Sequence, residues 1–149
     1  MTQEELVKLA KDIIKDNIYL TLGTTDGNPW VAPLFYCVNE NYNFYFISQL
    51  DSLHTKQMLK NPKVAFSIFD SHAEEGKGTG VQAIGNIHMI DEKELGNEIN
   101  NYHTTFIEIE PDFLKGDAPY RLFKLTPLEV WVTDPEAKVD RRVLVMLSK

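Results

Sequence analysis

The sequence predicts a mainly β protein, a closed antiparallel barrel of six or seven strands with peripheral α-helices. Three observations carry this. Asp26-Gly27 lies between two β-rich runs, IYLTLGT and WVAPLFYCV, a strong hairpin signal. A second return through Asn39–Asn43 leads into NFYFIS, giving a three-stranded antiparallel meander that a doubly wound parallel sheet excludes. The later β-rich runs have short connections, and so many strands need their edges protected, which closure achieves.

The elements follow in order. Thr2 and Glu5 have capping-box spacing, and Leu6, Leu9, Ile13 and Ile14 recur on one helical face, predicting a helix that ends near Asn17. The meander comes next. In the segment FISQLDSLHTKQMLKNP, Phe46 to Pro62, an apolar strand runs into a polar turn and a helix over 52–60. Asn61-Pro62 stops that helix, because the residue before proline is pushed out of helical geometry. KVAFSIF is a strand, and SHAEEGKGTG is a polar, glycine-rich loop. VQAIGNIHMI is a strand in which Gly85 marks a bulge or a close backbone approach. Asp91, with Glu94 at the third position, caps a helix running to about Tyr102. Phe106 to Pro119 reads as irregular or partly helical, and YRLFKLTPLEVWVTD and RRVLVML complete the sheet. No repeat, low-complexity linker or internal boundary interrupts the chain, so residues 1–149 are expected to form one domain.

Composition narrows the functional classes. With 149 residues, 43% hydrophobic and 25% charged, the chain suits an ordinary globular fold. A formal charge of −7 argues against a nucleic-acid partner, which needs a basic footprint. The first residues are acidic and amphipathic, unlike a signal peptide. No apolar run approaches the roughly 20 residues of a membrane span, so the expected location is the cytoplasm, with no membrane partner. Cys37, the one cysteine, cannot form an internal disulfide, and its apolar setting reads as a small buried side chain. The four histidines show no ligand spacing, so no metal site is expected. GKGTG at 76–80 is short of the phosphate-loop motifs and is not followed by a helix.

The chemistry concentrates after the Phe44–Ile47 strand. Ser48, Ser52, His54, Thr55 and Lys56 gather hydroxyls, an imidazole and an ammonium at a helix start. Free N–H groups and the positive end of the helix dipole favour a phosphate there. The plain alternative is a solvated helix face. Gln82 lies among apolar strand neighbours, where an amide can pair with the edge of a planar heterocycle or simply face solvent. Trp30 and Trp131, each beside a valine on a strand, suit either core or a pocket wall.

Four segments in this order, LGTTDGNPWVAPLFY, FYFISQLDSLHTKQMLKNPKVAFSIFD, GVQAIGNI and RLFKLTPLEVWVTD, resemble the FMN-binding split β-barrel family of pyridoxamine 5′-phosphate oxidase-like proteins. The resemblance covers nearly the whole chain. It implies a split barrel with FMN as cofactor, held in a pocket at a homodimer interface. It further implies that Ser48, Ser52, His54, Thr55 and Lys56 contact the phosphate or ribityl chain. Val31, Ala32, Pro33 and Leu34 would flank the ring, Gln82 would reach it from the same pocket, and Trp131 would close the pocket from the partner chain.

Leu53 and His54 stand where many members carry basic residues, making this a less basic cradle. The carboxy-terminal Arg-Leu-rich substrate motif of true pyridoxamine phosphate oxidases is missing. The expected function is therefore an FMN-dependent oxidoreductase of unknown substrate, with a small-molecule substrate or an electron donor such as NAD(P)H. No catalytic acid–base residue is assigned. The alternatives are a non-catalytic flavin carrier or sensor, and a barrel for another phosphorylated ligand.

Overall fold

The computed structural model describes residues 1–104 and 108–148. Helix α1 (Gln3–Asp16) starts as its capping box requires: the Thr2 hydroxyl accepts from the Glu5 N–H at 3.2 Å, and the Glu5 carboxylate accepts from the Thr2 N–H at 2.7 Å. Its apolar stripe, Leu6, Ala10, Ile13 and Ile14, is buried on the sheet.

Strands β1 (Tyr19–Thr25) and β2 (Pro29–Phe35) pair over seven residues. Gly27, at φ 112°, makes the turn between them, a backbone region open mainly to glycine. The run 30–38 then does not continue as one strand. It breaks at Tyr36; Cys37–Val38 forms the short strand β3, which pairs with β4 (Phe44–Gln49). The expected meander is thus divided. The reason is long-range: β4 is apolar on both faces and bonds the distant strand Tyr120–Thr133 over six residues, leaving β2 beside β1 alone.

Helix α2 (Leu53–Lys60), strand β5 (Lys63–Phe69), strand β6 (Gly80–Met89), helix α3 (Glu92–Glu98), strand β7 (Tyr120–Thr133) and strand β8 (Arg142–Val145) complete the chain. Asp91 and Glu94 form the second capping box. A 3₁₀ turn at Pro111–Leu114 occupies part of the stretch expected to be irregular or partly helical; Phe106 lies outside the described residues.

The sheet order is β2-β1-β5-β6-β7-β4-β3, with β8 added to β7: eight strands where six or seven were expected. The two ends of this order, β2 and β3, are consecutive pieces of one sequence run, so the sheet must curl. Among the described residues it is a mainly antiparallel half-barrel with three α-helices, and no ladder joins β2 to β3. Phe44, Phe46, Phe66 and Phe123 fill the inside, with Phe46 stacked on Phe123 at 5.6 Å. Tyr45, Leu122, Ile90 and Leu95 form a second cluster on the other face, under α3.

Gly85 is the close approach its place in a strand suggested. The β6–β7 register slips there, with Leu128 left over between Pro127 and Glu129. A Cβ on Gly85 would stand 2.8 Å from the Thr126 carbonyl oxygen and 3.1 Å from Leu125. Gly85→Ala should therefore lower unfolding free energy by about 1–3 kcal/mol, the usual cost of overpacking. Urea unfolding measures this, and an unchanged midpoint would contradict the close approach.

The outer edge of β2 is guarded. The Tyr36 N–H bonds the Ile18 carbonyl, and with the β1–β2 register this alternation aims the outward N–H positions at residues 29, 31, 33 and 35. Prolines take two of them. The edge therefore offers N–H donors only at Val31 and Phe35, which discourages pairing with another strand.

Candidate functional site

Helix α2 is fixed to the β1–β2 hairpin by a buried amide. Gln57, 2% exposed, accepts from the Thr24 hydroxyl at 2.7 Å and donates to the Asn28 carbonyl at 3.0 Å and to Asp26 at 3.4 Å. Both its amide donors and its amide oxygen serve this joint. The helix start consequently has a set position at the end of β4.

There the structure gathers four of the predicted residues. Ser48, buried at the end of β4, has its hydroxyl 2.8 Å from His54 Nε2. Ser52 occupies the N-cap, yet its side chain does not cap the helix: it donates to the Gln49 carbonyl at 2.8 Å and lies 2.7 Å from the fully buried Thr55 hydroxyl. The first bond into the preceding turn is Lys56 N–H to the Ser52 carbonyl. The N–H groups of Leu53, His54 and Thr55 are left without acceptors among the described residues, the arrangement that accepts an anion at a helix start. Lys56 is exposed, makes no ion pair among the described residues, and stands outside the hydroxyl–imidazole cluster.

Burial pushes the His54 imidazole below its ordinary value, so near neutrality it is an uncharged partner of Ser48. With the folded value below the unfolded one, the unfolded chain takes up this proton first as pH falls. The stability His54 contributes is complete above about pH 6.5 and is lost as pH drops toward the depressed value. Without ligand, the urea midpoint of the wild-type chain should fall more than that of His54→Gln between about pH 7 and pH 5. Parallel curves for the two proteins would contradict the assignment.

The remaining predicted residues lie elsewhere. The ladders set Pro33, Thr21, Ser67, Gln82 and Trp131 in one row across the outer face of β2, β1, β5, β6 and β7. Val31 shares that face and is exposed, whereas Ala32 faces the core and Leu34 packs against it. Gln82 stands about 13 Å along β6 from the level of Lys63 and Asn86, at four residues of about 3.3 Å each. The described residues thus form two groups, a cradle at the end of the half-barrel and a flat outer row.

Two residues at these places escaped the sequence reading. Arg142 Nε donates to Gln82 Oε1 at 2.8 Å, beside a groove of about 340 Å³ lined by Ser67, Phe69, Thr79 and Thr133. Arg121 pairs with Ser48 in the β4–β7 ladder. Neither has a local sequence signal, because each reaches its place through a strand far away in the chain.

The donor set fits a phosphate monoester: three N–H groups, the hydroxyl cluster, and Lys56 for charge. It fits a metal less well, since no group of three or more His, Cys, Asp or Glu able to hold an ion occurs among the described residues. Cys37 is half-buried; its thiol donates to the His103 carbonyl at 3.0 Å, and burial pushes its pKa up, as suits an inert thiol. No helix among the described residues is long and apolar enough to cross a membrane.

A family model described as pyridoxamine 5′-phosphate oxidase matches residues 6–134. The chain belongs to the pyridoxamine 5′-phosphate oxidase family. Comparison with curated proteins by sequence found no match. Solved structures of similar fold include the heme storage protein HutZ of Vibrio cholerae, with a TM-score of 0.65, 16% identity, and 85% of this chain and 94% of that chain covered. A NimC/NimA family protein of Clostridium acetobutylicum has a TM-score of 0.59 and 18% identity over 96% of this chain and 94% of that chain. A heme-binding protein of Mycobacterium smegmatis has a TM-score of 0.71 and 11% identity over 97% of this chain. The chain spans 60% of that last protein. At such identities the likeness to these structures is one of fold.

Proposed function

We propose that this chain is an FMN-dependent oxidoreductase that works as a homodimer, with the flavin in a pocket shared between the two copies. The observation that carries the proposal is the Ser48–His54–Ser52–Thr55 cluster at a helix start whose first three N–H groups lack acceptors, in a chain of this family. In this reading the N–H groups of Leu53, His54 and Thr55, with Lys56, hold the phosphate. Val31 and Pro33 offer the outward backbone edge and surface of β2 to the ring. Gln82, oriented by Arg142, and Trp131 lie on the same sheet face as that edge. Because one protomer separates cradle and outer row, completing a pocket falls to the second copy, whose Trp131 would close over the first.

Flavin, when bound, supplies the hydride and electron chemistry, and the protein supplies binding, orientation and electrostatics. A carrier or sensor without turnover is the second reading, favoured by the outer row: Gln82 has its acceptor occupied by Arg142 and no carboxylate or histidine stands in that row.

The test is anaerobic addition of NADH or NADPH to the flavin-loaded protein. Bleaching of the visible flavin absorbance within seconds to minutes is expected of the enzyme, and a carrier stays yellow. Protein that rejects FMN yet takes up heme would replace both readings with that of a heme binder.

A further inference from the structure

The cradle is short of fixed positive charge: burial keeps His54 neutral near pH 7, and Lys56 is an exposed, flexible cation. One cation nearby is held rigidly. Arg121, at the start of β7, lies directly across the β4–β7 ladder from Ser48, where opposed residues have Cβ atoms about 5 Å apart on one face. Its guanidinium donates to three backbone carbonyls, Gly116 at 2.6 Å, Ala118 at 2.6 Å and Tyr120 at 2.8 Å. The same turn is tied to the cradle, because the Leu50 N–H bonds the Pro119 carbonyl at 2.8 Å and so carries the ladder into the turn that leads to Ser52. Glu92 fixes its other side by accepting from the Gly116 N–H at 3.1 Å. Residues 116–120 therefore lie alongside the Gln49–Ser52 turn, and they hold the Arg121 guanidinium at the start of β7, across the ladder from Ser48.

Among the described residues Arg121 has no carboxylate within ion-pair distance. Its three carbonyl partners are neutral, so they leave the guanidinium without a counter-charge that an incoming anion would supply. The clamp also removes the rotamer freedom that a flexible lysine loses on binding.

We propose that Arg121 is the fixed cation of the cradle, serving the phosphate of a phosphate monoester ligand through charge while its carbonyl clamp positions the Gln49–Ser52 turn. This rests on the flavin reading only for the identity of the ligand. It assigns the fixed positive charge that Leu53 and, in the unliganded chain, His54 do not provide to a residue from the far end of the chain.

Equilibrium titration of the full chain with FMN and with riboflavin, followed by flavin fluorescence, separates charge from scaffold. Arg121→Gln should weaken FMN binding at least about tenfold, as for a lost charge-assisted bond, and leave riboflavin binding within about twofold of wild type. Arg121→Lys, which keeps the charge and loses the three-carbonyl fork, should retain part of the FMN preference. Equal losses for the two flavins, or none for either, would overturn the proposal. If Arg121→Gln does not fold, the lysine variant and the salt dependence of wild-type FMN binding carry the test: salt should weaken FMN and not riboflavin, and equal salt effects overturn it. If wild type binds neither flavin, the function proposed above is lost, and inorganic phosphate becomes the probe. Phosphate should then raise the melting temperature of wild type and not of Arg121→Gln (or, if that does not fold, Arg121→Lys less than wild type); equal shifts, or none, overturn the role of Arg121.

Discussion

Combining His54→Ala with Lys56→Ala should weaken FMN binding by about 2–4 kcal/mol, roughly 30- to 900-fold. Lys56 contributes the cation on the exposed side of the helix start. His54 acts otherwise. Its Nε2 lies 2.8 Å from the Ser48 hydroxyl, so truncation leaves a buried hydroxyl without its partner as well as removing an imidazole from the cradle. A phosphate dianion nearby favours the imidazolium, so ligand binding should raise the His54 pKa and draw in a proton near neutral pH. The single variants should therefore differ in their pH behaviour, with the Lys56→Ala loss nearly constant and the His54→Ala loss growing as pH falls toward 6.5. Flavin fluorescence titration reads both, and unchanged affinity in the double variant would place the phosphate elsewhere.

Gln57→Leu should destabilise the fold by about 2–4 kcal/mol although leucine is close in size. The cost comes from the groups left behind. The buried Thr24 hydroxyl and the part-buried Asn28 carbonyl both lose their partner in the α2–hairpin joint, and a buried group left unsatisfied costs about 1–3 kcal/mol. Urea unfolding measures the loss. A midpoint within experimental error of wild type would mean that water replaces the amide and that the joint is not what orients α2. The same substitution should also weaken FMN binding, because the helix start and the β2 edge lose their common anchor.

What could be read in the sequence was local. Two capping boxes, the Asp26-Gly27 turn, the Pro62 stop after α2 and the close approach at Gly85 each depend on a few neighbouring residues, and each stands in the structure where the sequence put it. The Ser48–Thr55 grouping was legible for the same reason, as a strand end and a helix start adjacent in the chain. Pairing between distant segments was not. The run Trp30–Val38 looks continuous, and nothing within it reveals that β4 prefers β7 to β2, because that preference lies in Phe123 and Leu125 packing against Phe44 and Phe46. Arg121 and Arg142 were missed for that reason: one meets the cradle across β4–β7, the other meets Gln82 across β7 and β8. Gln57 was visible only as a polar residue on a short helix, and its role appears once the hairpin folds against it.

The central claim is that the cradle at Ser48–Lys56 holds the phosphate of FMN, and phosphorus NMR of FMN bound to the full chain tests it most directly. The account predicts a phosphorus resonance displaced from that of free FMN, which moves again in Lys56→Ala while the flavin stays bound. A bound flavin whose phosphorus resonance keeps its free position, or ignores the substitution, would contradict it.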